Sequence, residues 1–218
     1  LPNAFNTYAA SADYLVEDWS SAFGVLALTD KAGSANLRNT SVHGTYAAKI
    51  RISEGWVFSP GVTFGYASRS IDFDKLVFGD MIDPRKGFIY QTGDVPRGGD
   101  VYFFDASAGV VGYSKHFFFG FAAHHLNRPN ESMIIGDSKL PIRLTGHAGA
   151  NIPLGSKSRY ANSTSIMPNV IYQYQNGFME LALGTYIKYS AITAGVWYRN
   201  RDAFILSIGI DNGKFKLG

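Results

Sequence analysis

Apolar side chains recur at every second residue along most of this chain, the period of a β-strand whose two faces meet different surroundings. Over residues 41–52, Val42, Gly44, Tyr46, Ala48, Ile50 and Ile52 share one face, while Ser41, His43, Thr45, Ala47, Lys49 and Arg51 share the other. After "SEG" (53–55), the next run sets Trp56, Phe58, Pro60, Val62, Phe64 and Tyr66 against Val57, Ser59, Gly61, Thr63, Gly65, Ala67 and Arg69. The same reading predicts strands near 5–16, 22–29, 38–52, 56–71, 102–113, 116–125, 140–152, 164–175, 178–188, 191–199 and 203–211, with a twelfth beginning at Lys214. No segment shows convincing helical periodicity, and there is no internal repeat of fixed length.

The connections differ in length. "EDWSS" (17–21), "SEG" (53–55), "SK" (114–115) and the turn near Ser190 are short, whereas 30–37, 72–101 and 126–139 are long. Successive turns of a meander fall on opposite ends of the sheet, so the three long loops share one end. Short turns at one end and long loops at the other are expected of an outer-membrane barrel. The later connections fit less well, because "NG" (176–177) and "NRD" (200–202) are short on the long-loop end and 153–163 is longer than its end predicts.

A soluble sandwich or lipocalin-like barrel would also alternate, with its apolar face inward. Three features favour lipid instead. Twelve consecutive hairpin-linked strands exceed the roughly eight of a lipocalin. Several runs are long enough to cross a bilayer at a tilt. Aromatics near strand ends (Tyr8, Tyr14, Trp56, Tyr66, Tyr174) suit interfacial girdles, and Lys49, Arg51, Arg69, Arg143, Glu180 and Lys188 on the opposite face suit a polar lumen. Pro60 and Pro168 stand against an uninterrupted ladder, since each removes an N–H. Pro168 is expected to begin its strand and Pro60 to mark a bulge.

Composition narrows the reading. The net charge of +3, with no Lys/Arg tract, argues against nucleic acid, and the absence of cysteine removes disulfides, thiol chemistry and sulfur-built zinc sites. No run of about 18 apolar residues is present, which excludes a helical span but not a barrel. The chain opens at Leu1 without a signal peptide and stops at "NGKFKLG", whose last five residues read as the start of a strand. Residues are therefore expected to be missing at both ends.

Six segments then converge. "LTDKAGS" (28–34), "KLVFGDMIDPRKGFIY" (75–90), "SAGVVGYS" (107–114), "GFAAHHLNRPNES" (120–132), "SKLPIRLTGHAGANIPL" (138–154) and "GVWYRNRDAFILSIGI" (195–210) occur in this order. Together they resemble the PorP/SprF family of outer-membrane proteins from the type IX secretion system of Bacteroidetes. The resemblance spans nearly the whole chain and implies that 1–218 is one outer-membrane barrel domain, expected to lack the first and last strands. It implies an all-β, transmembrane, antiparallel up-and-down β-barrel, with about 12 strands here and about 14 in the complete protein, an even number as in other bacterial barrels. It further implies a non-enzymatic component of the type IX secretion and gliding machinery in the cell outer membrane. Such a component would bind secretion components or secreted, surface-anchored cargo through its extracellular loops. The alternative is a porin-like solute channel. An outer-membrane enzyme is a more distant reading, because no Ser–His pair has defensible hairpin spacing.

No catalytic motif is present and no cofactor or metal is expected. His124 and His125 are adjacent, so on a strand they point to opposite faces and cannot chelate one ion; a rim or lumen position is expected. The 72–101 loop is the sharper candidate, as an internal clasp, a plug or a partner surface. Asp80, Asp83 and Arg85 surround Pro84, with an Asp83–Arg85 pair expected to order the turn and Leu76, Phe78, Met81 and Ile82 to be buried. Asn127 and Glu131 belong to a second loop that also contains Arg128, Asn130 and Pro129. Arg199 and Arg201, in "WYRNRD", are candidates to clamp Asp80 or Asp83 across the mouth.

Overall fold

A computed structural model describes residues 5–33, 36–76, 78–88, 90–93, 100–154, 164–211 and 216–217. The chain divides into two compact units, one formed by Leu1–Ala47, Val62–Ser107 and His125–Pro141 and the other by Ala48–Gly61, Ala108–His124 and Ile142–Gly218. The strands are β1 (Phe5–Val16), β2 (Ser21–Ala32), β3 (Leu37–Ala48), β4 (Ile50–Ser53), β5 (Trp56–Ser70), β6 (Ile82–Asp83), β7 (Gly87–Phe88), β8 (Val101–Ser114), β9 (Phe117–His124), β10 (Arg143–Ala150), β11 (Ile152–Leu154), β12 (Thr164–Gln175), β13 (Phe178–Tyr189), β14 (Ile192–Arg199), β15 (Ala203–Asp211) and β16 (Lys216–Leu217). All but β6 and β7 belong to one 14-stranded sheet, in the order β1-β2-β3-β5-β8-β9-β10-β12-β13-β14-β15-β16, with β4 on β5 and β11 on β12. Sequential neighbours pair antiparallel, as an up-and-down meander requires. Its path has the twelve strands that period two predicts; the predicted start of the last at Lys214 lies outside the described residues.

The two extra strands arise where two predicted strands break. The pairs Gly149↔Asn169 and Ile152↔Ile166 keep one register, which sets Ala150 opposite Pro168, and the strand is interrupted at the next residue, Asn151. Likewise, the pair Ile50↔Phe58 extrapolates to Ala48 opposite Pro60, and the interruption falls at Lys49. Each proline removes one donor from the ladder, and the partner strand breaks beside it. The expected places for both therefore need correction: Pro168 lies inside β12, paired with Thr185, rather than at its start. The register shift near Pro60 lies instead between Arg51 and Ser53. The strand predicted from residue 140 begins only at Arg143, after Pro141, because Leu140 gives its N–H to Pro129 O at 2.9 Å.

The two faces divide as the alternation implies, but with the apolar face exposed. In β15, Phe204, Leu206, Ile208 and Ile210 are between 52% and 81% exposed. In β5, Val62, Phe64 and Tyr66 are exposed, while Gly65 and Ala67, on the other face, are buried. Phe64 stacks on Phe104 and Tyr66 on Tyr102, with centroids 5.8 and 6.0 Å apart. Buried apolar residues among those described amount to Ala67, Val101 and Ala182, too few for a water-soluble core. An apolar face this extensive needs an apolar surrounding phase. No described helix is long and apolar enough to cross a membrane. The opposite face is packed by rings over glycines: Trp197 lies over Gly184 and Tyr186 over Gly195, and the two rings meet edge-on at 5.8 Å.

Candidate functional site

The loop between β5 and β8 is built from its own backbone. Two short 3-10 turns, Phe73–Lys75 and Gly79–Met81, lead into the β6–β7 ribbon, where Ile82 pairs with Phe88 and Asp83 with Gly87. Pro84 fixes φ at the second position of the turn, and Gly87 closes it at φ +78°, in the left-handed region that glycine adopts without strain. Asp83 caps the turn: its Oδ1 accepts from the main-chain N–H of Arg85 at 2.8 Å and of Lys86 at 2.9 Å, and its Oδ2 from the Tyr90 hydroxyl at 3.2 Å. The Arg85 N–H, then that of Lys86, hold this carboxyl below the usual aspartate range, with Tyr90 adding and slight burial opposing. Asp80 Oδ2 closes the far side, accepting from Gly93 N at 2.7 Å and Thr92 Oγ1 at 3.0 Å. Lys75 Nζ pairs with Asp72 Oδ2 at 2.7 Å.

The second loop, between β9 and β10, is fastened to both strands that carry the first. On β8, Asn127 accepts from Ala106 N at 3.0 Å and donates to Phe104 O at 2.7 Å, while Leu126 N donates to Ala106 O at 2.8 Å. Between these, His125 Nδ1 lies 3.0 Å from each oxygen of Asp105, a carboxylate only 7% exposed. On β5, Arg69 Nη1 meets Glu131 Oε2 at 2.8 Å, with both side chains largely buried. Asn130 organises the rest, donating to Asp137 Oδ1 at 2.8 Å and accepting from Ser138 N at 2.9 Å and Ser132 N at 3.1 Å. His125 and Arg128 are held at φ +59° and +45°, which non-glycine residues adopt only when their surroundings over-determine the backbone. Arg69 lies at the end of β5, just before the first loop, and Asp105 near the start of β8, just after it. The second loop thus clamps the base of the first.

The expected site residues fall into three groups. Phe78, Asp80, Met81, Asp83 and Arg85 belong to the first loop, and Asn127 and Glu131 to the second. The Asp83–Arg85 pair exists, but through the Arg85 main-chain N–H. Leu76, Phe78 and Met81 are half-buried, whereas Ile82 is 45% exposed, against the expectation of burial. A two-stranded ribbon has no layer beneath it to cover both of its faces. Val77 lies outside the described residues. In the third group, Arg199 pairs with Asp202 Oδ2 at 2.8 Å within the β14–β15 hairpin, where Arg201 takes the turn at φ +62°, and approaches Glu180 Oε2 on the neighbouring β13 at 3.7 Å. The bonds of Asp80 and Asp83 are likewise local to their loop. Sequence reasoning missed Arg69 and Asp105 as the anchors of Glu131 and His125. Each sits at an ordinary position of an alternating strand, and nothing in the pattern marks it. Among the described residues no group of His, Asp and Glu could hold a metal ion.

Among the described residues of the two loops, the polar side chains hold loop backbone or pair with one another. No curated protein and no solved structure matches the chain. The family model described as "Type IX secretion system membrane protein PorP/SprF" matches residues 1–218, the whole of it. With a sheet whose apolar face is exposed along an antiparallel meander, and a full-length match, the chain belongs to the PorP/SprF family of type IX secretion system membrane proteins.

Proposed function

We propose that this protein is a non-enzymatic β-barrel of the outer membrane that binds other secretion components, or secreted proteins held at the cell surface, through the platform made by its two long loops. The observation that carries this reading is the fastening of the 125–140 loop to both strands flanking the 71–100 loop, through Arg69–Glu131, His125–Asp105 and Asn127. Ordered loops lose less entropy on docking than free ones. The exposed apolar face of the strands supports residence in lipid.

Deleting residues 76–86 removes β6 and its turn and leaves every strand of the 14-stranded sheet in place. The variant should insert normally, retain the heat-modifiable migration of a folded barrel, and lose both co-purifying partners and secretion or motility. Normal insertion with partners and secretion retained would sink the platform reading.

A further inference from the structure

The exposed apolar face of β1, β2 and β3 ends in two cations. Across β1 and β2, Asn6 pairs with Lys31 and Tyr8 with Thr29. Across β2 and β3, Thr29 Oγ1 meets Thr40 Oγ1 at 3.3 Å, and the rings of Phe23 and Tyr46 are 5.3 Å apart. Both contacts keep one register, which sets Lys31 opposite Arg38. The two cations therefore share the face of Tyr8, Phe23, Val25 and Tyr46, which are between 42% and 72% exposed. They stand beside the turn that joins β2 to β3, at the long-loop end of the sheet. Lys31 is half-buried and Arg38 exposed, and neither has an ion-pair or hydrogen-bond partner among the described residues.

No acid shares that face of the three strands. Asp13 and Asp30 alternate onto the other face, where Asp30 accepts from the Thr7 hydroxyl at 2.6 Å. Glu17 and Asp18 belong to the turn at the opposite end. Of the described acids further along the sheet, Asp72 is neutralised by Lys75. Asp100 precedes β8, two strands from Arg38 and so about 10 Å away, a Debye length.

We propose that Lys31 and Arg38 bind the phosphate of an acylated lipid in the outer leaflet, whose chains lie along the apolar side chains further down the strands. Like charges directly opposite on paired strands destabilise a sheet, and an anion between them relieves the repulsion. A phosphate accepts charge-assisted hydrogen bonds from both side chains. Tyr8, two residues further in than Asn6, stands where aromatic rings meet the headgroups. An acidic polypeptide would satisfy the cations but leave the apolar face uncovered, whereas a lipid covers both. The long-loop end of an outer-membrane barrel faces outward, which selects the outer leaflet. This site lies on the strands and goes beyond the loop platform.

The full chain in nonionic detergent is titrated with phosphorylated lipid A, the same lipid stripped of phosphate, inorganic phosphate, and a soluble Glu-rich peptide. Bound lipid is counted by native mass spectrometry. The phosphorylated lipid should be retained on the order of tenfold more strongly than the stripped one. Lys31→Gln/Arg38→Gln should abolish that preference, each single Gln variant should lose part of it, and Lys31→Arg/Arg38→Lys should keep most of it. The single variants decide the matter if the double variant fails to insert. Lys86→Gln, in the first loop, and deletion of 76–86 should leave retention unchanged, so failure of this site and failure of the platform are read separately. Equal retention of the two lipids, indifference to the Gln variants, or loss of retention in the loop variants would overturn the proposal. Displacement of the lipid by equimolar inorganic phosphate would overturn it in favour of a free-anion site, and displacement by the peptide in favour of a polypeptide.

Discussion

Replacing Glu131 with Gln tests whether the second loop is held in place by its ion pair. Arg69 Nη1 and Glu131 Oε2 are 2.8 Å apart, which gives a gross attraction of about 6 kcal/mol at an effective dielectric constant of about 20. Lost hydration offsets most of it. The side chains are 26% and 17% exposed, so the pair falls between a surface pair worth up to about 1 kcal/mol and a buried one whose disruption costs about 3–5 kcal/mol. Arg69 Nε and Glu131 Oε2 both lack an aligned hydrogen bond, so the pair acts as a close charge contact, and without Glu131 the guanidinium would be left poorly satisfied. A cost near 2 kcal/mol follows, felt as local release of the 125–140 loop rather than loss of the sheet, and equivalent to about a 30-fold rise in the open population. Trypsin cleavage after Lys139, under conditions where opening and closing are fast, reports that population. Glu131→Gln should be nicked about 30-fold faster. The double variant Arg69→Gln/Glu131→Gln should be nicked no faster than Glu131→Gln, since no charge remains stranded. Wild-type nicking in the single variant, or simple addition of the two single effects, would show that the pair does not anchor the loop.

Other tests address lipid facing, topology and pH. Arg in place of Val62, Phe64 or Leu183 should cost roughly 2–4 kcal/mol in reversible unfolding from lipid, and less at Thr63 or Thr145; equal penalties on both faces would refute the assignment. Cysteines at Lys86 and Ile135, the latter 70% exposed, should label from outside intact cells, while those at Glu54 and Lys115 should not; the opposite pattern reverses the orientation. Ser34, in the remaining long loop, lies outside the described residues, and Asn130 is a poor labelling position because its side chain holds the loop. The carboxyl of Asp83 is held below its ordinary value, so its contribution to the turn is complete above about pH 4 and is lost as pH falls through the lowered value. Proteolysis of the 82–88 ribbon should therefore be flat from neutral pH to about 5 and rise at stronger acidity. Asp83→Asn should abolish that rise; an unchanged profile would remove Asp83 as its cause.

Most of the sheet was legible because one physical signal repeats. Each strand needs one face in an apolar medium and the other in a polar one, so period two recurs in every element, and β1, β12 and β15 start and end where the alternation does. What the pattern could not locate were the interruptions at Lys49 and Asn151. Alternation belongs to a single strand, whereas a missing donor acts on the neighbour: Pro168 breaks the ladder beside Ala150, eighteen positions back along the chain by the register of β10 and β12. Reading that effect requires knowing the pairing, which the sequence states only through the fold.

The loops were half legible for the same reason. Asp83-Pro84 followed by Gly87 is a local turn chemistry, and its capping bonds span two to seven residues. Glu131 and His125 reach partners on β5 and β8, so their roles depend on strands that look ordinary in isolation. The unexpected exposure of Ile82 follows from the capped turn itself. A loop ordered by closing its carboxylates on nearby N–H and hydroxyl groups needs no apolar core to fix its backbone. Not all of its apolar side chains are then drawn inward: Leu76, Phe78 and Met81 are half-buried, while Ile82, Tyr90, Leu126, Ile134 and Ile135 across the two loops stay between 37% and 70% exposed. Leaving those side chains exposed forgoes roughly 1.5–3 kcal/mol each relative to burial. Because the loop's own bonds already hold its shape, that energy remains available to whichever molecule covers the surface.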